Sequence, residues 1–244
     1  MPLLRIDRIL GASGAASRSE AAALIRRGAV TADGSTVRSP SEKYDPETAD
    51  IRVNGERIDY KRHRYIMLNK PAGYVSAVRD ARDMPVTDLL EPRLRKMDLF
   101  PAGRLDKDTE GFILLTDDGD FAHRLTSPKS GVEKVYYAEV DGELENSDAD
   151  AFAAGAVLRD GTVCLPARLT ILSPRSAYVA VREGKYHLVR RMLASRGKPV
   201  TYLRRVSIGA VALDPDLEPG AYRELTEDEQ NALFSGESPV LPEK

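Results

Sequence analysis

The stretch GRLDKDTEGFILLTDDGD, Gly103 to Asp120, carries the reading on which the fold turns. Its Asp106, Asp108, Glu110, Gly111, Ile113 and Asp117 fall at positions 1, 3, 5, 6, 8 and 12 of a calcium-binding helix-loop-helix. That arrangement needs a helix on each side and a bidentate Glu at the last position, where Asp117 stands. FPAGRL before the loop opposes a helix through Pro101 and Gly103. FILLT inside it reads as a whole strand. The alternative is a turn that places one carboxylate, Asp106, at a pocket wall beside Arg104, with the strand behind it as buried support. For an Asp-rich turn taken alone, surface carboxylates capping backbone N–H groups are the ordinary reading.

Outward from this stretch the pattern stays short-stranded. YIMLN, VYYAEV, YVAV and VTYL read as strands by length and by their β-branched and aromatic residues. Helices are expected near Asp148 to Ala154 and from Tyr186 to Arg196, where Val189, Met192 and Leu193 form the apolar face and Gly197 the stop. A last helix should follow the capping box Thr226 to Glu229 and run to Phe234. Strands and helices do not alternate regularly, so the class is α+β.

The first 60 residues read as a separate small module. Ile6, Ile9 and Leu10 make one short amphipathic helix ending at GASG. Ser17 and Glu20 cap a second, whose apolar face is Ala21, Leu24 and Ile25 and whose stop is Gly28. AVTADG and DIRVNGER follow as β-prone pieces with Asp-Gly and Asn-Gly turns. A polar connection, Asp59 to Arg64, closes the module, so the expected domains are 1–60 and 61–244.

The 36 Lys and Arg residues nearly cancel the 38 Asp and Glu, leaving a net charge of -2. A uniformly basic, tail-like nucleic-acid binder is excluded, but the charge is unevenly placed. Arg182 to Arg205 carries a net of +7, the first 43 residues +3, and Val206 to Lys244 -7. Basic patches on a folded surface can bind polyanions, although a charge run can equally be a solvated helix face. Cys164 is the single cysteine, which excludes an internal disulfide, and His63, His123 and His187 are too dispersed for a zinc site. No run of apolar residues is long enough to span a bilayer, and Arg5, Asp7 and Arg8 break up the N-terminus, so a cytoplasmic protein is expected.

RYIMLNKPAGYVSA, PAGRLDKDTEGFILLTDDGDFAHRLTSP, EKVYYAEV and EGKYHLVRRMLASRG stand in the order and approximate spacing of the RsuA type of pseudouridine synthase, which the chain resembles over nearly its whole length. RIDRILGASGAASRSEAAALIRRGAV resembles the RNA-binding S4 module that precedes the catalytic domain in that family. GRLDxxTxG is highly specific; the S4-like segment alone is less so, since several translation proteins carry it.

The resemblance implies a catalytic domain with a mixed, largely antiparallel sheet, no metal and no organic cofactor. It matches Asp106 to the catalytic carboxylate, Tyr136 to the tyrosine that stacks on the target base, and Arg190 to the basic residue paired with that carboxylate. Leu188 stands where the family usually has Gln, and Phe112 where it usually has Leu. Arg5, Arg8, Arg18, Arg26, Arg27, Arg104 and Arg191 are the expected RNA contacts, giving affinity and register rather than sequence choice. The implied partner is ribosomal RNA, with 16S rRNA favoured, naked or in a partly assembled small-subunit particle, and the expected state is a monomer. A 23S rRNA target is the alternative within the enzyme class, and a non-catalytic RNA-binding assembly factor the alternative outside it.

Overall fold

The computed structural model describes residues 3–241, the side chain of Arg18 excepted. The chain forms two compact units: one runs as far as Arg64 and takes in Thr87–Phe100, and the other holds Tyr65–Val86 and the chain from Pro101 onward. The return of 87–100 to the first unit has no signature in the sequence, and the boundary falls four residues beyond the one drawn at residue 60. Asp59 to Arg64 is not a loose connection either. Arg64 is buried and donates from Nη2 to Asp59 Oδ2 at 3.0 Å.

In the first unit, the helices Ile6–Ala12 and Arg18–Arg26 pack beside a four-stranded sheet in the order Ser35–Thr36, Val30–Ala32, Ile51–Val53, Glu56–Arg57. Ile6, Ile9, Leu10, Ala21, Leu24, Ile25, Val30 and Ile51 make its core, the apolar faces expected from helical spacing. The Ser17–Glu20 capping box is formed in both directions, and Gly28 ends the helix at a φ of 74°. Asp33-Gly34 and Asn54-Gly55 turn with positive φ at both residues, the hairpin geometry that these dipeptides favour. The 87–100 segment is pinned by Arg93, whose Nε donates to Ser13 O at 3.0 Å. Gly14, at a φ of 67°, has no room for a Cβ, which would lie 2.6 Å from Arg93 O.

The second unit is built on a mixed sheet whose main path is Arg168–Ser173, Ser176–Val181, Lys134–Val140, Val200–Ile208, Glu110–Thr116, Tyr65–Lys70, Tyr222–Glu224. Every junction on this path is antiparallel except one, between Glu110–Thr116 and Val200–Ile208. Two central strands, 65–70 and 110–116, are buried along almost their whole length, which is why IML and FILL are continuous apolar runs rather than alternating ones. The helices Asn146–Ala154 and Leu188–Ser195 cover Ala138, Val179 and Leu203 with Phe152, Val189, Met192 and Leu193. The second of these starts two residues later than expected, because His187 takes a left-handed conformation. The final helix, Glu227–Ala232, keeps its Thr226–Glu229 capping box.

Several elements are not anticipated by the sequence reading, the helix Pro92–Arg95 and the strand Tyr222–Glu224 among them. The helix Gly119–Thr126 lies inside the Asp-rich stretch, where Asp118 caps it by accepting from Phe121 N–H, and Ala122 and Leu125 are its buried side. The edge strand Arg168–Ser173 buries only Leu169 fully and leaves Leu172 exposed, so its apolar signal is weak. Among the described residues no helix is long and apolar enough to cross a membrane.

Candidate active site

Asp106 lies on the loop that leads into the strand 110–116. The loop is shaped by main-chain contacts from the segment after strand 65–70. Ser76 Oγ donates to Leu105 O at 2.8 Å and accepts from Leu105 N–H at 2.9 Å. Gly73 N–H donates to Lys107 O at 2.8 Å, and Thr109 N–H closes a turn on Asp106 O at 3.1 Å. Lys70 is fully buried at the end of its strand, and its Nζ donates to the carbonyls of Pro71, Lys107 and Thr109 at 3.1, 3.2 and 2.7 Å. Burial pushes this ammonium down to about 8, while Asp108, Glu110 and Asp106 oppose the fall.

The strand that follows begins against Val200–Ile208, with Gly111 opposite Arg205. Gly111 has a φ of 97°, and a Cβ there would sit 2.2 Å from Arg205 O. The GRLDxxTxG pattern therefore ends in glycine for a steric reason: the two strands approach too closely for any side chain.

Two side chains, Arg190 and His187, face the Asp106 carboxylate. Arg190 Nε lies 3.9 Å from Asp106 Oδ2, while its Nη2 is 2.9 Å from Asp108 Oδ2. The closer partner of Arg190 is thus Asp108, and its buried Nε makes no hydrogen bond. His187 Nε2 lies 3.5 Å from the other Asp106 oxygen, Oδ1. Asp106 itself is three-quarters buried.

Tyr136, on the strand 134–140, is half-buried beside the apolar core. It is tied to the site through Arg205, which pairs with it across the sheet, donates from Nη1 to its hydroxyl at 3.3 Å and lies with its Cζ 5.9 Å from the ring centroid. Arg205 is buried and also donates from Nε to Phe112 O at 2.7 Å. Two residues before Tyr136, Lys134 Nζ donates to Leu125 O and Val132 O, and burial, helped by the charge of Arg205, holds it at about 8. Cations thus surround the strand carrying Tyr136 and the loop carrying Asp106, a setting that favours an anionic ligand.

The expected RNA contacts divide by exposure. Arg8, Arg26, Arg27 and Arg104 are exposed. Arg5 is exposed but paired with Asp7 at 2.6 Å, and Arg191 is paired with Asp160 at 2.5 Å. The Arg18 side chain lies outside the described residues. Leu188 is buried with Val189, Met192 and Leu193 in the core of the second unit, so an apolar residue at that position is packed rather than aimed at the carboxylate. The calcium reading fails on geometry: Glu110 to Asp117 runs out along an extended strand, and among the described residues no three His, Cys, Asp or Glu side chains gather as a metal cluster.

Sequence reasoning missed His187, Lys70, Ser76 and Arg205. For Arg205 a signal existed: in VTYLRRVSI it shares strand parity with Leu203 and Ser207, both buried. Lys70 ends a strand that is buried at five consecutive positions. The His187 and Ser76 contacts come from loops and leave no pattern.

Comparison with known proteins agrees with the geometry. Residues 64–195 match the RNA pseudouridylate synthase family, and residues 4–49 match the S4 domain. The chain is 44% identical over 234 residues to an uncharacterised RNA pseudouridine synthase of Bacillus subtilis, covering 94% of this chain and 98% of that one. It is 40% identical over 229 residues to the ribosomal small subunit pseudouridine synthase A of Escherichia coli, covering 93% and 98%. A crystal structure of a pseudouridylate synthase superimposes with a TM-score of 0.67 at 37% identity, covering 94% of this chain and 99% of that chain.

Proposed function

The chain belongs to the RNA pseudouridylate synthase family, and from that premise we propose that it converts one uridine of 16S rRNA to pseudouridine, with Asp106 acting on the target nucleotide. The observation that carries this reading is the Asp106 carboxylate, three-quarters buried and faced by Arg190 on one oxygen and His187 on the other. The small-subunit target follows the names of the relatives, of which the Escherichia coli enzyme is one.

The chemistry fits a single carboxylate. The reaction breaks the bond between N1 of the base and C1′ of the ribose, turns the base, and joins C5 to C1′. The proton released from C5 balances the one taken up at N1, and no water is consumed. Glycosidases need two carboxylates because a leaving group departs and water replaces it. Here the base stays, so one carboxylate in a closed site suffices, either attacking C1′ or removing a sugar proton, and water is a competitor to exclude. Arg190 faces one oxygen of that carboxylate at 3.9 Å. Flipping the uridine out of structured RNA costs a few kcal/mol, and stacking on Tyr136 returns about 1 to 3 kcal/mol. Arg205 holds the Tyr136 hydroxyl from behind, which orients the ring. The exposed Arg8, Arg26 and Arg27 supply phosphate contacts, and Arg104 does the same beside Asp106. The enzyme works as a monomer in the cytoplasm on naked 16S rRNA or an assembling particle.

The test is Asp106→Asn, assayed on 16S and 23S rRNA fragments with carbodiimide mapping of pseudouridine. The wild type should modify 16S alone, and the variant should make no product while its RNA affinity stays within about tenfold, roughly 1.4 kcal/mol. Turnover by the variant removes Asp106 from the chemistry. Modification confined to 23S moves the target to the large subunit, and a wild type that binds without modifying is an assembly factor.

A further inference from the structure

We propose that His187 is a positioning residue for Asp106: its Nε2–H fixes Oδ1 of the carboxylate while Arg190 addresses Oδ2. This rests on the reading of Asp106 as the reacting group.

Three observations converge on it. First, the backbone at His187 is unusual, with φ 50° and ψ 35°. Among the described residues only Asp33 and Asn54 share a positive φ without being glycine, and both precede a glycine in a hairpin turn where that conformation is required. His187 takes that conformation with no glycine after it, as the third residue of a turn in which Leu188 N–H donates to Lys185 O at 3.2 Å. It stands at the N-cap of the helix Leu188–Ser195, a place for Ser, Thr, Asp or Asn, and its side chain makes no capping hydrogen bond. Its carbonyl serves the helix by accepting from Arg191 N–H at 2.9 Å, but its ring does not, which leaves the imidazole for another partner.

Second, the left-handed backbone delivers the ring to the reacting group, with Nε2 3.5 Å from Asp106 Oδ1. The distance is long for a hydrogen bond, as contacts of this kind often are before substrate tightens the site. Third, the plane of the imidazole is set by Tyr186, whose ring stacks on it with centroids 3.8 Å apart and an interplanar angle of 18°. Tyr186 is 72% exposed and so adds little to the core. The Arg190 fork is engaged mainly with Asp108, which leaves Oδ1 to His187. With a basic side chain facing each oxygen, rotation of the carboxylate is restrained on both sides. With Arg190 alone it is freer, and a misplaced reacting atom is costly even at small displacement.

The proposal requires an N–H at the Nε2 position, not a charge, and three substitutions separate reach from backbone. The amide nitrogen of Gln reaches where Nε2 was; that of Asn ends near Nδ1; Gly has neither. The left-handed conformation suits Gly and Asn and disfavours Gln. Single-turnover assays on 16S rRNA should give His187→Gln a rate within about fivefold of wild type, with His187→Asn and His187→Gly slower by about 30- to 100-fold and KM within about twofold. Thermal stability should run the other way, with Gly and Asn at or above wild type. Activity that instead follows stability, Gly and Asn active and Gln impaired, makes His187 a backbone element and overturns the proposal. A second measurement does not depend on turnover. The imidazole ring resonances of His187, recorded by NMR, should move on Asp106→Asn, and ring signals that stay in place refute the contact. If the wild type modifies no rRNA, the proposed function falls while the spectrum still decides the contact.

Discussion

Two sets of basic side chains, one in each unit, are used in opposite ways. In the first unit, Arg8, Arg26 and Arg27 stand exposed on short helices over a core of Ile, Leu, Ala and Val. In the second, the cations around the site turn inward: Lys70 and Lys134 onto main-chain carbonyls, Arg205 onto Phe112 O and the Tyr136 hydroxyl, Arg190 onto Asp108. A residue count treats these groups alike. The physics does not, because an exposed arginine can meet phosphate at little desolvation cost, while a buried lysine acts by holding protein in shape.

The contrast can be broken at its tightest point. Gly111→Ala places a methyl 2.2 Å from Arg205 O at a φ of 97°, so the strands must separate and Arg205 must shift with them. Unfolding by denaturant should show a loss of about 4 kcal/mol or more, with activity abolished. A loss near that of an ordinary surface change would mean that the strand pair is pliable and the inward cations are not fixed by it.

A second test addresses the buried charge. Lys70 titrates near 8 in the folded chain, below its ordinary 10.5. Between these values the unfolded chain holds more protons, so stability rises with pH across that window, and the cost of burying the charge is fully present below about 8. The rise due to Lys70 should be on the order of 2 to 3 kcal/mol. Lys134 adds a rise of the same sign. In Lys70→Met the part of the rise due to Lys70 should be lost, measured as the difference between the two proteins in the slope of unfolding free energy between pH 7.5 and 10. Equal slopes in both proteins would show that Lys70 is solvated.

The smallest effect belongs to the outward set. Replacing Arg26 and Arg27 together by Ala should leave stability within about 0.5 kcal/mol. It should lower the slope of log binding constant against log salt by about 1.4 to 1.8, as expected for two lost phosphate contacts. An unchanged slope makes both residues solvated surface.

Much of the fold was legible because local and global signals agree. The capping boxes at Ser17 and Thr226 and the turns at Asp33-Gly34 and Asn54-Gly55 are local instructions, and the strands they delimit are where periodicity placed them. Motif singles out Asp106, Tyr136 and Arg190 as candidates, and of these the structure sets Arg190 Nε 3.9 Å from Asp106. What was not legible depends on distance in the chain. Ser76 grips Leu105 from 29 residues away, Arg205 reaches Phe112 from 93, and the segment 87–100 returns to a unit that the chain had left at Arg64. The late start of the helix at Leu188 was hidden for a different reason: a histidine in a left-handed conformation has no sequence signature, because few sequences choose it.

The way in which the Asp106 loop is anchored has a consequence for redesign. Lys70, Gly73 and Ser76 hold it through the main-chain atoms of Leu105, Lys107 and Thr109, which every amino acid supplies. Shape is thereby decoupled from side-chain identity at Lys107, which is exposed and whose side chain pairs with Asp83. That position is the natural place to diversify in a library seeking altered RNA preference, since its side chain can change while the scaffold that aims the neighbouring carboxylate keeps its form.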